Sequence, residues 1–141
     1  MNVRVQVDTP GSLPAVALEP KLTARALQNI LSNALRYAHS QVSVEARANG
    51  EDLIVVIEDD GEGIPEADYH QVFQPFFRLD RSRDRATGGV GLGLAISRSC
   101  MERQGGTLGV GKAALGGARF TLSLPLQYFQ VSEAVTLRGA P

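Results

Sequence analysis

The sequence predicts one α+β domain, a two-layer sandwich in which helices cover one face of a mixed, mostly antiparallel sheet. Three observations support this reading. A helical stripe of apolar residues begins near Pro20, alternating or β-branched runs lie on both sides of it, and a second helical stripe opens near Leu92. With 141 residues and 43% hydrophobic content, the chain has the size of one domain and can bury most of its apolar surface.

Taken in order, Val3, Val5 and Val7 alternate with Arg4, Gln6 and Asp8, the period of a half-buried strand, and Pro10-Gly11 then marks a turn, so a short edge strand is expected here. From about Pro20, Leu27, Ile30, Leu31, Ala34, Leu35 and Ala38 recur at helical spacing, with the proline at a tolerated first-turn position. Val42, Val44, Ala46 and Ala48 alternate again. Asn49-Gly50 is a hairpin-turn signal, and the β-branched run from Leu53 to Ile57 reads as a well-buried return strand. Between Asp59 and Gly93 periodicity lapses, which suggests a functional loop region with short helices. Leu92, Ala95, Ile96, Ser99 and Cys100 form the second amphipathic helix, stopped by Gly105-Gly106. Strands near Thr107–Val110 and Ala118–Leu124 complete a domain spanning residues 1–126, and 127–141 reads as a tail without clear period.

Composition excludes several function classes. Fourteen basic residues against fifteen acidic ones leave a formal charge of −1, with no global bias toward nucleic acid or an anionic membrane. The single cysteine, Cys100, excludes an intrachain disulfide and a cysteine cluster for zinc, which fits the cytosol, and it reads as a core residue. No stretch approaches the roughly 20 apolar residues of a membrane span.

Four segments carry the chemistry. In the first helix, Asn29, Asn33, Arg36 and Tyr37 share a face distinct from the apolar stripe. An amide oxygen such as that of Asn33 suits Mg²⁺ when phosphate oxygens and water fill the other positions; equally, these are ordinary solvent-facing residues of a helix. Next, Glu58-Asp59-Asp60-Gly61-Glu62-Gly63-Ile64-Pro65 sets a carboxylate at the end of a buried strand and follows it with alternate glycines. Asp59 can accept a hydrogen bond from an exocyclic amine, with Gly61 and Gly63 leaving room for a flat base, or the glycines can simply close a hairpin.

The third segment, Phe73-Gln74-Pro75-Phe76-Phe77-Arg78, leads into a charged run, Arg78 to Arg85, that holds four arginines and two aspartates. This charge either screens phosphates or forms solvated ion pairs, and Arg78, beside the aromatic anchor of Phe77, is the best phosphate candidate. The fourth, Thr87-Gly88-Gly89-Val90-Gly91-Leu92-Gly93-Leu94, runs a glycine loop into a helix N-terminus, a geometry that binds anions. It is neither a dinucleotide fingerprint, because Leu94 stands where glycine is required, nor a P-loop, because no Gly-Lys-Ser/Thr follows.

In order and spacing, these segments resemble the N, G1, F and G2 boxes of the histidine-kinase ATP-binding domain, a member of the GHKL nucleotide-binding superfamily. The resemblance spans roughly residues 20 to 125. Ser82-Arg83-Asp84-Arg85 and Gly116-Gly117-Ala118-Arg119-Phe120 look similar to sensor kinases of the RstB type. The resemblance implies ATP and Mg²⁺ as ligands, with Asn33 on the metal, Arg36 and Tyr37 at the phosphates and base, and Asp59 on the adenine amine. It further assigns Asn29, Gly61, Gly63, Ile64, Phe77 and Arg78 to the nucleotide site. Gly89, Val90, Gly91, Leu92, Gly93 and Leu94 belong there too, and a lid over about Ala67–Gly91 orders on binding.

One position discriminates within the superfamily. Hydrolytic members carry a glutamate four residues before the metal-binding asparagine, and here that residue is Asn29. An amide cannot take a proton from water as a carboxylate does, so transfer to another nucleophile is expected over hydrolysis. The expected acceptor is a histidine on a separate dimerisation domain of a homodimeric parent, with a response regulator receiver domain as the next partner. Neither His39 nor His70 fits the acceptor signature. The resemblance implies a cytoplasmic domain of a parent anchored in the inner membrane. A nucleotide-binding regulatory module and a hydrolytic ATPase are the alternative readings.

Overall fold

The computed structural model describes residues 3–8, 19–77 and 92–125. Helix α1 spans Pro20–Tyr37 and starts where the sequence suggests. Pro20 occupies the first turn, where a missing N–H costs nothing, and the Glu19 carboxylate caps it by accepting from the Leu22 amide at 2.7 Å. Its buried residues, Ala26, Ile30 and Ala34, recur every four positions, so one narrow stripe faces the interior.

Among the described residues five strands form one sheet: β1 (Arg4–Asp8), β2 (Gln41–Asn49), β3 (Asp52–Asp59), β4 (Thr107–Lys112) and β5 (Ala118–Pro125). Their order is β1-β2-β3-β5-β4, with β1 parallel to β2 and every other pairing antiparallel. The β2–β3 hairpin closes over two residues, Gly50 and Glu51, with Gly50 at φ +62° in the first loop position, as in a II′ turn; Asn49 is not in the loop but pairs with Asp52 as the last residue of β2. A 3₁₀ turn at Glu66–Asp68 follows β3. Helix α2 (Gly93–Glu102) ends where Gly105, at φ +78°, lets the Gly106 amide reach back to the Met101 carbonyl at 2.8 Å and the Gly105 amide to that of Glu102 at 3.0 Å. This crossed pair is the Schellman stop.

The core lies between the helices and one sheet face. Ile30, Val42, Ile57, Met101, Phe120 and Leu122 are almost completely buried there, and Cys100 is also buried in the core. Phe73 meets Phe120 edge-on, with ring centroids 6.3 Å apart, and the Arg98 guanidinium lies 5.1 Å above the Phe73 ring.

The first strand differs from expectation. Its alternation suggests a half-buried strand, yet Val5 and Val7 are 44% and 64% exposed. They pair in register with Val42 and Val44, so they point to the helix side of the sheet. Helix α1 packs on β3, and α2 on β4 and β5, so among the described residues the helices sit away from this edge.

Candidate functional site

The site grows from the last residue of β3. Asp59 is only 2% exposed, and its Oδ1 accepts from the Gly61 amide at 2.9 Å and the Ala118 amide at 3.3 Å. Its backbone carbonyl accepts from the Gly117 amide at 3.0 Å. The carboxylate is therefore fixed by its own loop and by the start of β5, a strand about sixty residues further along the chain.

Glycines make this approach possible. A Cβ on Gly61 would fall on the Tyr37 carbonyl at the end of α1, and one on Gly117 would overlap the Asp59 carboxylate and lie 2.7 Å from the Gly61 amide. Gly63 adopts φ +77°, and a Cβ there would press on the Gly117 backbone at 3.3 Å. The three glycines and Asp59 thus interlock. Gly117 was not a site candidate in the sequence reading; its signal was the glycine doublet ahead of β5.

Asp60 takes a different part. Its Oδ1 accepts from the amides of His39, Ser40 and Gln41 at 2.8, 3.0 and 3.1 Å, and its Oδ2 accepts from the Ser40 hydroxyl at 2.7 Å. The Ser40 hydroxyl foremost, then the backbone donors, hold the Asp60 carboxyl well below the usual aspartate range. This residue pins the α1–β2 turn to the end of β3, a role the sequence reading did not assign.

On α1, Asn29, Asn33 and Tyr37 are half-buried and Arg36 is exposed. The Asn29 Cβ lies 4.0 Å from the point a Cβ on Gly93 would occupy, so the polar face of α1 abuts the start of α2. That start carries no side-chain cap at Leu92, and the first intrahelical donor is the Ile96 amide, bonded to the Leu92 carbonyl at 2.9 Å. Helix openings of this kind present N–H groups and the positive dipole end to anions. Ile64, Phe77 and Leu94 are partly buried and pack against the core. Arg78, Gly89, Val90 and Gly91 lie outside the described residues. Among the described residues, no group of three or more His, Cys, Asp or Glu side chains is arranged to hold a metal.

Residues 19–128 match the model of the histidine kinase-, DNA gyrase B- and HSP90-like ATPases. The chain belongs to this family. It is 49% identical over 125 residues to the sensor protein RstB of Escherichia coli K12, a match covering 89% of this chain and 28% of that protein. It is 38% identical over 117 residues to the sensor histidine kinase CpxA of the same strain, covering 83% of this chain and 25% of that protein. The chain thus spans about a quarter of the length of these relatives. The solved mycobacterial sensor histidine kinase MprB superposes with a TM-score of 0.77 at 30% identity, covering 90% of this chain and 86% of that one. The α+β sandwich, with its mixed sheet and two helices, is that of this family's ATP-binding domains.

Proposed function

We propose that this histidine-kinase-type domain binds Mg-ATP and transfers the γ-phosphoryl group to a histidine on a dimerisation domain of the same sensor kinase, for relay to a response regulator. The observation that carries the reading is Asp59: a buried carboxylate at a strand end, held against glycine backbone.

Such a carboxylate accepts from the exocyclic amine of adenine; the glycines, whose missing Cβ positions are filled by the Tyr37 carbonyl, the Gly117 backbone and Asp59 itself, hold the carboxylate in place rather than clear room for the base. The amides opening α2 and the exposed Arg36 supply positive charge for the phosphates. Asn33, on the same face of α1, holds Mg²⁺ through its amide oxygen. The lack of a carboxylate cage among the described residues suits an ion that takes most of its ligands from phosphate and water. Mg²⁺ supplies charge neutralisation at the phosphates, and the protein residues supply binding and alignment. Asn29 has no carboxylate with which to activate water, which favours transfer over hydrolysis. The proton on the accepting imidazole leaves to a base beside that histidine, and the parent is a homodimeric kinase anchored in the inner membrane.

Calorimetry tests the binding half. Asp59→Asn replaces an acceptor by a donor facing the base and is expected to weaken ATP about tenfold to a hundredfold, the range of a charged hydrogen bond. Asn33→Ala is expected to abolish the Mg²⁺ dependence of binding. Wild-type affinity in either variant removes that assignment. Labelled ATP mixed with the domain and its histidine-bearing partner tests the transfer half: acid-labile label on the partner is expected. Binding without label makes this a regulatory module, and rapid turnover by the domain alone makes it a hydrolase.

A further inference from the structure

Between α1 and α2 sits a fully buried hydroxyl that the proposed mechanism does not use. Ser97 is 0% exposed, and its Oγ donates to the Ala26 carbonyl at 3.1 Å. One turn before Ser97 on α2 is Gly93, and about one turn after Ala26 on α1 is Asn29, the two residues that meet across the helix pair. Asn33 follows one further turn along α1. The hydrogen bond therefore lies one turn from the junction between the opening of α2 and the asparagine face of α1.

Apolar side chains packed ridge into groove leave a helix pair free to adjust by fractions of a turn, whereas a buried hydroxyl bonded to one carbonyl is satisfied in a single register. At the far end of the pair Gln104 makes a second tie. Its Oε1 accepts from the Glu19 amide at 2.8 Å and the Thr23 hydroxyl at 3.2 Å, and its Nε2 donates to the Cys100 carbonyl at 3.2 Å. That tie is remote from Gly93; the one through Ser97 is adjacent to it.

We infer that Ser97 is a positioning residue: its hydroxyl sets the register of α2 against α1, and so the spacing between the phosphate-facing amides of α2 and the metal-facing side chain of Asn33. The inference rests on the proposed Mg-ATP site. It predicts a loss confined to the phosphate end of the ligand, because Asp59 and its glycines are held by β3 and β5 instead.

The test compares Mg-ATP with adenosine by calorimetry, well below the melting temperature, in wild type, Ser97→Ala, Ser97→Cys and Gln104→Ala. Ser97→Ala is expected to bind Mg-ATP about three- to tenfold more weakly, the range of one lost hydrogen bond, with adenosine affinity unchanged. Ser97→Cys keeps a weaker donor on a slightly larger side chain and falls between the two, so it serves where the alanine variant does not fold. Gln104→Ala reports lost stability alone and is expected to melt lower at an unchanged ATP-to-adenosine ratio. Unchanged ATP affinity in the Ser97 variants, equal losses for both ligands, or the same ratio shift in Gln104→Ala overturns the inference. A wild-type protein that binds neither ligand overturns the ATP site itself.

Discussion

Gly117→Ala places one methyl group in the most crowded part of the site. Its Cβ would overlap the Asp59 carboxylate and approach the Asp59 carbonyl oxygen to 2.6 Å and the Gly61 amide to 2.7 Å. Two of these three obstacles are backbone, so a rotamer change cannot relieve them, and the Gly117–Asp59 backbone hydrogen bond has to lengthen. Overpacking usually costs about 1–3 kcal/mol, and this rigid case belongs at the upper end, near 3 kcal/mol. For a domain of this size that corresponds to a melting temperature lower by about 12 °C. ATP affinity should fall at least about tenfold as well, because the displaced group is the carboxylate proposed to read the base. Gly111→Ala is the control: nothing lies within 4 Å of its Cβ position and its φ is ordinary. It is expected to melt at or slightly above wild type, by about 0.5 kcal/mol. Thermal melts by circular dichroism with parallel calorimetry measure both quantities. A Gly117→Ala protein melting within about 2 °C of wild type and binding ATP normally would refute the interlocked-glycine reasoning.

The acid limb of stability should depend on Asp60. Because its folded-state pKa is lowered, its contribution is fully present above the ordinary aspartate value near about 4 and fades as pH falls below it. Asp60→Asn should therefore flatten the decline in melting temperature between about pH 4 and pH 2; an unchanged acid limb would show that Asp60 does not couple to folding. Phe120→Ala removes a fully buried ring and its edge contact with Phe73, for an expected loss of about 3–5 kcal/mol, read as a lower urea midpoint at unchanged slope. The nucleotide variants Asp59→Asn and Asn33→Ala should melt close to wild type without ligand, as unfolding scans of the apo protein will show, so that their binding losses are local.

Legibility followed the range of the determining interactions. Helix α1 was readable because its stripe, its tolerated proline and its polar asparagine face are all set by neighbours within a few residues. The same holds for the Asn49-Gly50 turn and the stop at Gly105-Gly106. Asp59 was readable as a strand-end carboxylate because the β-branched run before it marks the strand. What stayed hidden depends on which strands become neighbours. Gly117 reaches Asp59 because β5, rather than β4, pairs with β3. Ser97 looked like any small residue of an amphipathic helix until α1 was laid beside it. Asp60 looked like part of the glycine motif, whereas its side chain faces the turn after α1. The alternation of Val3, Val5 and Val7 identified a strand, and its short length an edge position, correctly, but neither could show that the helices leave that edge exposed.

The pairing of β3 with β5 has a consequence for the order in which the molecule becomes competent. The residue proposed to read the base ends β3, but two of the three amides that lock it, those of Gly117 and Ala118, come from the start of β5. A chain emerging from the ribosome, or one clipped ahead of β5, holds Asp59 without its lock. Nucleotide capture is thereby tied to completion of the sheet. Added ATP should stabilise the whole domain against proteolysis rather than one half of it, since the ligand selects only molecules in which β3 and β5 have paired.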